Sequence, residues 1–195
     1  MKKVLAFAMA LAMVFSMAGC GNGSNSGSTN SGGDEVETLK IGVVCPISGV
    51  SAIAGKYITN GVEVVENELG GKIDIKGKEY NIEFIYMDNE ASEEKTTNVF
   101  QKLIEEEKVI AIVGPDMSKC ALAAGPIAQN AKCPIVTTFA TNTAVTEVGD
   151  YIFRACFIDP FQGQMAAQYI WESGYETASI MFNNADAYAT GLKDA

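Results

Sequence analysis

Val109-Ile110-Ala111-Ile112-Val113 runs directly into Gly114-Pro115-Asp116-Met117-Ser118, and apolar residues follow at Ala121, Leu122, Ile127 and Ala128. An unbroken apolar run of this length predicts a strand covered on both faces, as in a parallel sheet. Gly114-Pro115 ends the run, and the apolar spacing behind it predicts a helix. Strand, tight loop and helix make one β-α step, and the same step recurs on either side. Upstream, Leu39-Lys40-Ile41-Gly42-Val43-Val44-Cys45 predicts a strand closed by Pro46 and Ser48-Gly49. Ile58, Val62, Val65 and Leu69, three and four apart, predict an amphipathic helix over 55–69 that Gly70-Gly71 stops. Ile73-Asp74-Ile75, Lys76-Gly77-Lys78 and residues 80–87 read as a small hairpin feeding a second core strand. Ser92 is placed to cap a helix through Val99, Leu103 and Ile104, with Glu93 and Glu94 in its first turn. Downstream, residues 134–137, 151–154 and 177–182 predict strands, and Asp159-Pro160 opens a helix through Met165, Tyr169 and Ile170.

Connections too long for hairpins between repeated strands argue for an α/β fold, a parallel sheet with helices on both faces. In such a sheet a ligand sits beyond the carboxyl ends of the strands. Two loops carry hydroxyls at that edge. Ser118, at the start of a helix, reads first as an N-cap, and also suits a carboxylate or phosphate held on backbone N–H groups. In Thr137-Thr138-Phe139-Ala140-Thr141-Asn142-Thr143, the Thr141 hydroxyl and the Phe139 carbonyl suit an ammonium group, although threonine-rich loops also occur without a ligand. Asp159 before Pro160 has the pattern of an N-cap followed by proline at the first helical position. Tyr188 follows the last predicted strand and either walls a pocket or simply packs. Glu105, Glu106 and Glu107 read as surface charge on a solvated helix end. No loop has the spacing of a Walker motif or a dinucleotide fingerprint, and no serine lies in a nucleophile elbow.

The first residues, Met1-Lys2-Lys3, the apolar run 4–15 and Ser16-Met17-Ala18-Gly19-Cys20, have the pattern of a secretory leader over residues 1–19. The small pair Ala18-Gly19 before Cys20 is similar to the lipobox of bacterial lipoproteins, which makes Cys20 the expected lipidated N-terminus and the location extracytoplasmic at a membrane. Residues 20–37, rich in Gly, Ser and Asn, predict a flexible tether. The net charge is −10, and near −12 once Lys2 and Lys3 leave with the leader, which disfavours a nucleic-acid partner. The chain has no histidine, so the commonest general base and zinc ligand are both missing. Neither an enzyme, a metal nor a cofactor is expected. Cys45, Cys120, Cys133 and Cys156 lack any CxxC spacing and sit beside apolar segments; buried thiols are the expectation, with disulfides the alternative. Gly191-Leu192-Lys193-Asp194-Ala195 reads as the opening of a helix with nothing to close it, so the chain is expected to be a fragment.

Several pieces in this order carry a resemblance: residues 39–43 with Pro46-Ile47-Ser48-Gly49, Gly61, Asn67-Glu68-Leu69-Gly70-Gly71, Met87-Asp88-Asn89, Val113-Gly114, and Arg154 with Asp159 and Gln162-Gly163. Together they resemble the leucine/isoleucine/valine-binding family of type I periplasmic binding proteins. The resemblance implies a type I periplasmic-binding-protein fold of two α/β lobes closing on a solute by hinge motion. Residues 38–158 would be most of the first lobe and residues 159–195 the start of a second that is mostly missing. It implies that Ser118 and Thr141 hold the α-carboxylate and α-ammonium of an amino acid, branched-chain or similarly apolar. The Phe139 carbonyl and Ala140 lie in the same ligand loop, Asp159 is a cleft-side acid, and Tyr188 closes from the second lobe. The partner so implied is an ABC permease. Ala54 stands where several members have an aromatic residue, which leaves amides, urea and aromatic acids as alternative ligands. A ligand-sensing role in a receptor system is the alternative of another class.

Overall fold

The computed structural model describes residues 36–195. The expected leader, the lipidation candidate Cys20 and the tether as far as residue 35 lie outside the described residues. The chain forms β1 Thr38–Cys45, α1 Ala52–Leu69, β2 Lys72–Ile75, β3 Lys78–Asp88, α2 Glu93–Gln101, β4 Ala111–Val113, α3 Ser118–Ala131, β5 Ile135–Thr137, α4 Ala144–Glu147, β6 Ile152–Arg154, α5 Asp159–Glu172 and α6 Ala187–Asp194. One six-stranded sheet has the order β2-β3-β1-β4-β5-β6. All its pairs are parallel except β2 with β3.

The alternation of side chains along β1 assigns the helices to opposite faces. Val43 and Cys45 are buried under α1 with Ile58 and Val62. Val44 points the other way, into the larger core of Phe100, Leu103, Ile112, Ala121, Ala124 and Ile135 beneath α2 and α3. Helices on both faces of a mostly parallel sheet are therefore present, as the apolar runs require. The register sets Val43 opposite Tyr86 on one side and Val113 on the other.

Local signals account for most element ends. Gly70 takes the left-handed conformation at the end of α1, and its amide donates to the Glu66 carbonyl at 3.0 Å. Lys76 and Gly77, both at positive φ, form the tight turn between β2 and β3. Ser92 caps α2 by accepting from the Lys95 amide at 3.4 Å. Below Gln101 the helix widens into a π-turn over Lys102–Glu106. The amide of Val109 donates back to Leu103 at 3.1 Å, so β4 begins later than the apolar run suggests.

Three expectations are corrected. The N-cap of α3 is Met117, in extended conformation; Ser118 is already helical and makes no cap bond. The N-cap of α5 is likewise Ile158, with Asp159 and Pro160 inside the first turn. Residues 177–182 form no strand, because a strand needs a ladder partner and no described strand lies beside them. No helix of the described residues is long and apolar enough to cross a membrane. Cys45, Cys120 and Cys133 are buried free thiols and Cys156 is a half-buried one.

Candidate functional site

The sheet delivers the loops after β1, β3, β4, β5 and β6 to one edge. From β1 the chain goes to β3 on one side and then to β4 on the other, so the connections diverge at the β1/β4 junction. Loops splayed apart at such a reversal leave a crevice.

Buried polar atoms concentrate there. Asp116 Oδ1, Thr137 Oγ1, Thr138 Oγ1, Thr141 Oγ1 and both carboxylate oxygens of Asp159 are buried without a hydrogen-bond partner among the described residues. Asp116 and Asp159 are each only 1% exposed. Buried polar groups are normally paired, and one left alone costs about 1–3 kcal/mol. All six atoms belong to the last residue of β5, to the connections leaving β4 and β5, or to Asp159 at the start of α5. Acceptors dominate the set, with three carboxylate oxygens and three hydroxyls.

Backbone and side-chain bonds tie these connections together. Ser118 Oγ accepts from the Asn142 amide at 3.2 Å, so α3 is pinned to the loop after β5. The Asp159 amide donates to the Thr141 carbonyl at 3.0 Å. Asn142 Nδ2 donates to the Ala187 carbonyl at 2.8 Å, and Asn142 Oδ1 accepts from the Ala144 amide at 3.0 Å to start α4. Gly191 of α6 backs onto the same place: a Cβ there would meet Asp159 Oδ2 at 2.3 Å.

Arg154, the only arginine in the sequence, closes the β5 loop from the end of β6. Its Nη1 donates to the carbonyls of Ala140 at 2.9 Å and Asn142 at 2.7 Å. Its Nη2 donates to Thr146 Oγ1 at 2.9 Å and, at 3.4 Å, to the Thr143 carbonyl. A planar fork of fixed donors suits this clamp, where a single ammonium would not span the acceptors.

The carboxylates at this edge have opposite electrostatics. Burial raises the Asp116 carboxyl above the ordinary range, outweighing the amides of Asp116 and Met117 that favour its charged form. Burial acts on Asp88 in the same direction. There the Ser48 hydroxyl, at 2.5 Å, and the Ile47 and Glu90 amides, each at 2.9 Å, overcome it and hold the carboxyl below its usual value. Burial, reinforced by the Asp116 and Asp88 charges, pushes the Cys45 thiol up to about 11.

The structure thus brings Ser118, Thr141 and Asp159 together. Ala140 is buried in the core and lends its carbonyl to Arg154. The Phe139 ring is half-exposed and lines a groove of about 390 Å³ with Tyr57, Val62, Val65 and Phe84 of the α1 side. Tyr188 lines a different hollow, about 800 Å³, between α5, α6 and the segment before α6, and its hydroxyl accepts from Gln162 Nε2 at 3.1 Å. Neither aromatic ring is in the cluster of unpaired oxygens. Sequence reasoning included Asp116, Thr138 and Asn142 within the two candidate loops and Arg154 within the resemblance, but gave none of them a role of its own.

Known proteins share this architecture. The chain is 28% identical to an amino acid binding protein of Pseudomonas aeruginosa, over 80% of this chain and 41% of that one. A branched-chain amino acid transporter substrate-binding protein of Streptococcus pneumoniae, solved in complex with isoleucine, superposes with a TM-score of 0.74 at 31% identity, over 81% of this chain and 45% of the other. A solute-binding protein of an ABC transporter from Rhodopseudomonas palustris, in complex with 3,4-dihydroxybenzoic acid, superposes with a TM-score of 0.73 at 28% identity, over 80% and 42%. The chain spans less than half the length of these relatives. With residues 38–195 matching the family model described as periplasmic binding protein, and the type I fold shared with these structures, the chain belongs to the periplasmic binding protein family.

Proposed function

We propose that this protein captures an amino acid outside the cytoplasm and delivers it to an ABC permease, without a chemical step. The observation that carries the proposal is the set of six buried, unpaired oxygens gathered at the strand-end edge. Unpaired buried acceptors are compensated when a ligand supplies donors, and an ammonium group supplies three. In this reading Asp159 and the Thr141 hydroxyl receive the α-ammonium. Ser118 Oγ already accepts one amide, and its own proton is free to meet the α-carboxylate near the start of α3. The names of the relatives support a transport role, and none of those compared is named as an enzyme.

The same proposal takes residues 38–158 as the first of two closing lobes and residues 159–195 as the start of the second, with the Phe139 carbonyl accepting from the ammonium and Tyr188 closing from the second lobe. It takes residues 1–19 as a leader and Cys20 as a lipid anchor that keeps the domain near its permease. Relatives that hold isoleucine point to a branched-chain ligand, and relatives that hold aromatic acids point elsewhere. An aromatic acid fits the site poorly, since its carboxylate would face three unpaired carboxylate oxygens and would bring no ammonium to offset them.

Thermal melting of the mature protein, expressed with everything its gene encodes, tests the assignment against the twenty amino acids, urea, short amides and aromatic acids. Binding to the native state raises the melting temperature by mass action. At least one α-amino acid is expected to raise it, with the rise reduced in Ser118→Ala and in Thr141→Ala. Stabilisation by a non-amino-acid alone would overturn the zwitterion assignment and leave the transport role. Silence across the panel would favour a sensory protein for an untested solute.

A further inference from the structure

Granting that this edge binds an amino acid, we propose that Asp116 determines specificity and that the bound side chain ends in a cationic nitrogen, as in arginine or lysine. The α-ammonium and α-carboxylate account for Asp159, Thr141 and Ser118. They leave the Thr137 and Thr138 hydroxyls and Asp116 Oδ1 unexplained, and of these only Asp116 is a carboxylate, on a side chain that is 1% exposed. A buried carboxylate with an open acceptor destabilises the free protein, and retention of such a group is understandable where a ligand completes it.

The position of Asp116 gives it a separate task from Asp159. It lies in the connection leaving β4, two residues before Ser118, whereas Asp159 follows β6 and bonds through its amide to Thr141. The strand order β1-β4-β5-β6 separates them along the edge. Asp116 is on the β1 flank, since β4 pairs with β1 and Gly114, at the start of the same connection, packs against the Val44 carbonyl near the end of β1. A zwitterion seated between Ser118 and Asp159 would therefore direct its side chain either toward that flank or out of the crevice.

Charge balance points the same way. No lysine or arginine of the described residues pairs with Asp116 or Asp159. Arg154 spends its donors on three carbonyls and a hydroxyl. A ligand such as leucine brings one positive and one negative charge and leaves the second carboxylate bare. A dicationic amino acid brings the additional positive charge. Aliphatic side chains have an apolar place in the groove beside Phe139 and Val113, so the side-chain class is decided by whether the ligand turns toward Asp116 or out into that groove.

Isothermal titration of the mature protein with arginine, lysine, leucine, isoleucine and valine decides the matter, using Asp116→Asn, Asp116→Leu and Ser118→Ala. Arginine or lysine is expected to bind at least 10-fold more tightly than leucine. Asp116→Asn, nearly isosteric, should weaken the basic ligand by roughly 10- to 100-fold, the range of a charge-assisted hydrogen bond. Asp116→Leu should narrow or reverse the preference toward leucine. Ser118→Ala should weaken every amino acid alike. Tighter binding of leucine than of either basic amino acid to the unmodified protein would overturn the inference. So would unchanged arginine affinity in Asp116→Asn. If Ser118→Ala weakens binding in that case, the amino-acid site itself stands and only the side-chain class is refuted.

Discussion

Replacing Arg154 by methionine tests how the β5 loop is held. The guanidinium makes three bonds of 2.7–2.9 Å and one of 3.4 Å, and all four acceptors belong to residues 140–146. Hydrogen bonds to charged donors contribute about 1.5–3 kcal/mol each, and carbonyls left without a donor in a buried place add to the loss. Arg154 is only half-buried, so water re-solvates part of what is freed. A total of roughly 3 kcal/mol for Arg154→Met follows. Arg154→Lys keeps the charge but offers one nitrogen in place of two, so it preserves the Nη1 pair at best and loses the good bond to Thr146, a cost of about 1.5 kcal/mol. With a urea dependence on the order of 2 kcal/mol/M, the midpoint should fall by about 1.5 M for methionine and by about half that for lysine. Urea titration followed by tryptophan fluorescence and circular dichroism reads both. A shift under about 0.3 M for methionine would refute the clamp. Equal shifts for the two variants would show that the retained charge contributes nothing without the fork, and a negligible shift for lysine would show that charge, and not the fork, is what matters.

Other expectations follow from the same geometry. Gly114→Ala should cost roughly 3 kcal/mol or abolish folding, since φ is +108° and the new Cβ would meet the Val44 carbonyl at 2.1 Å; chemical denaturation measures it. In the ligand-free protein Asp116→Asn should raise stability at neutral pH. Because burial raises the folded-state pKa of Asp116, the folded state binds the proton more tightly. Its contribution becomes less favourable as pH rises from the ordinary carboxylate value of 3.8 through the raised one, and the variant should lack that dependence in urea midpoints. Asp88 behaves oppositely: its lowered pKa gives stability above 3.8 that is lost as pH falls through the folded value, and Asp88→Asn should remove that acid-side loss. Under native conditions iodoacetamide should label Cys156 before Cys45, Cys120 or Cys133, as read by peptide mass spectrometry, because only Cys156 is partly exposed.

The parts of the fold that were legible from sequence are those fixed by near neighbours in the chain. The β-rich run of β1, the Lys76-Gly77 turn, the Ser92 cap and the Gly70 stop each depend on a few adjacent residues, and each is where the pattern placed it. Ser118 looked like a cap because serine at a helix start usually is one. Its oxygen instead takes the amide of Asn142, 24 residues away, which no local window contains. Asp159 failed as a cap for a related reason, since the extended residue before the helix is Ile158 and the carboxylate turns inward. Residues 177–182 have strand-like composition, but composition supplies no partner strand. Of the candidate site, Ser118 and Thr141 were picked out as hydroxyls at strand ends, and Asp159 as a cleft-side acid through the resemblance alone. Asp116 was in plain view in the loop after β4, yet what marks it out is burial without a partner, a three-dimensional property.

The central claim is that the unpaired oxygens at the strand-end edge are completed by a bound amino acid. A crystal structure of the mature protein with its tightest-binding amino acid tests this most directly. The account predicts the ligand's ammonium within hydrogen-bonding reach, roughly 2.7–3.2 Å, of Thr141 Oγ1 and an Asp159 oxygen, with its carboxylate at Ser118. A ligand seated elsewhere, such as in the groove beside Tyr57 and Phe139, with ordered waters on Thr141 and Asp159, would contradict it.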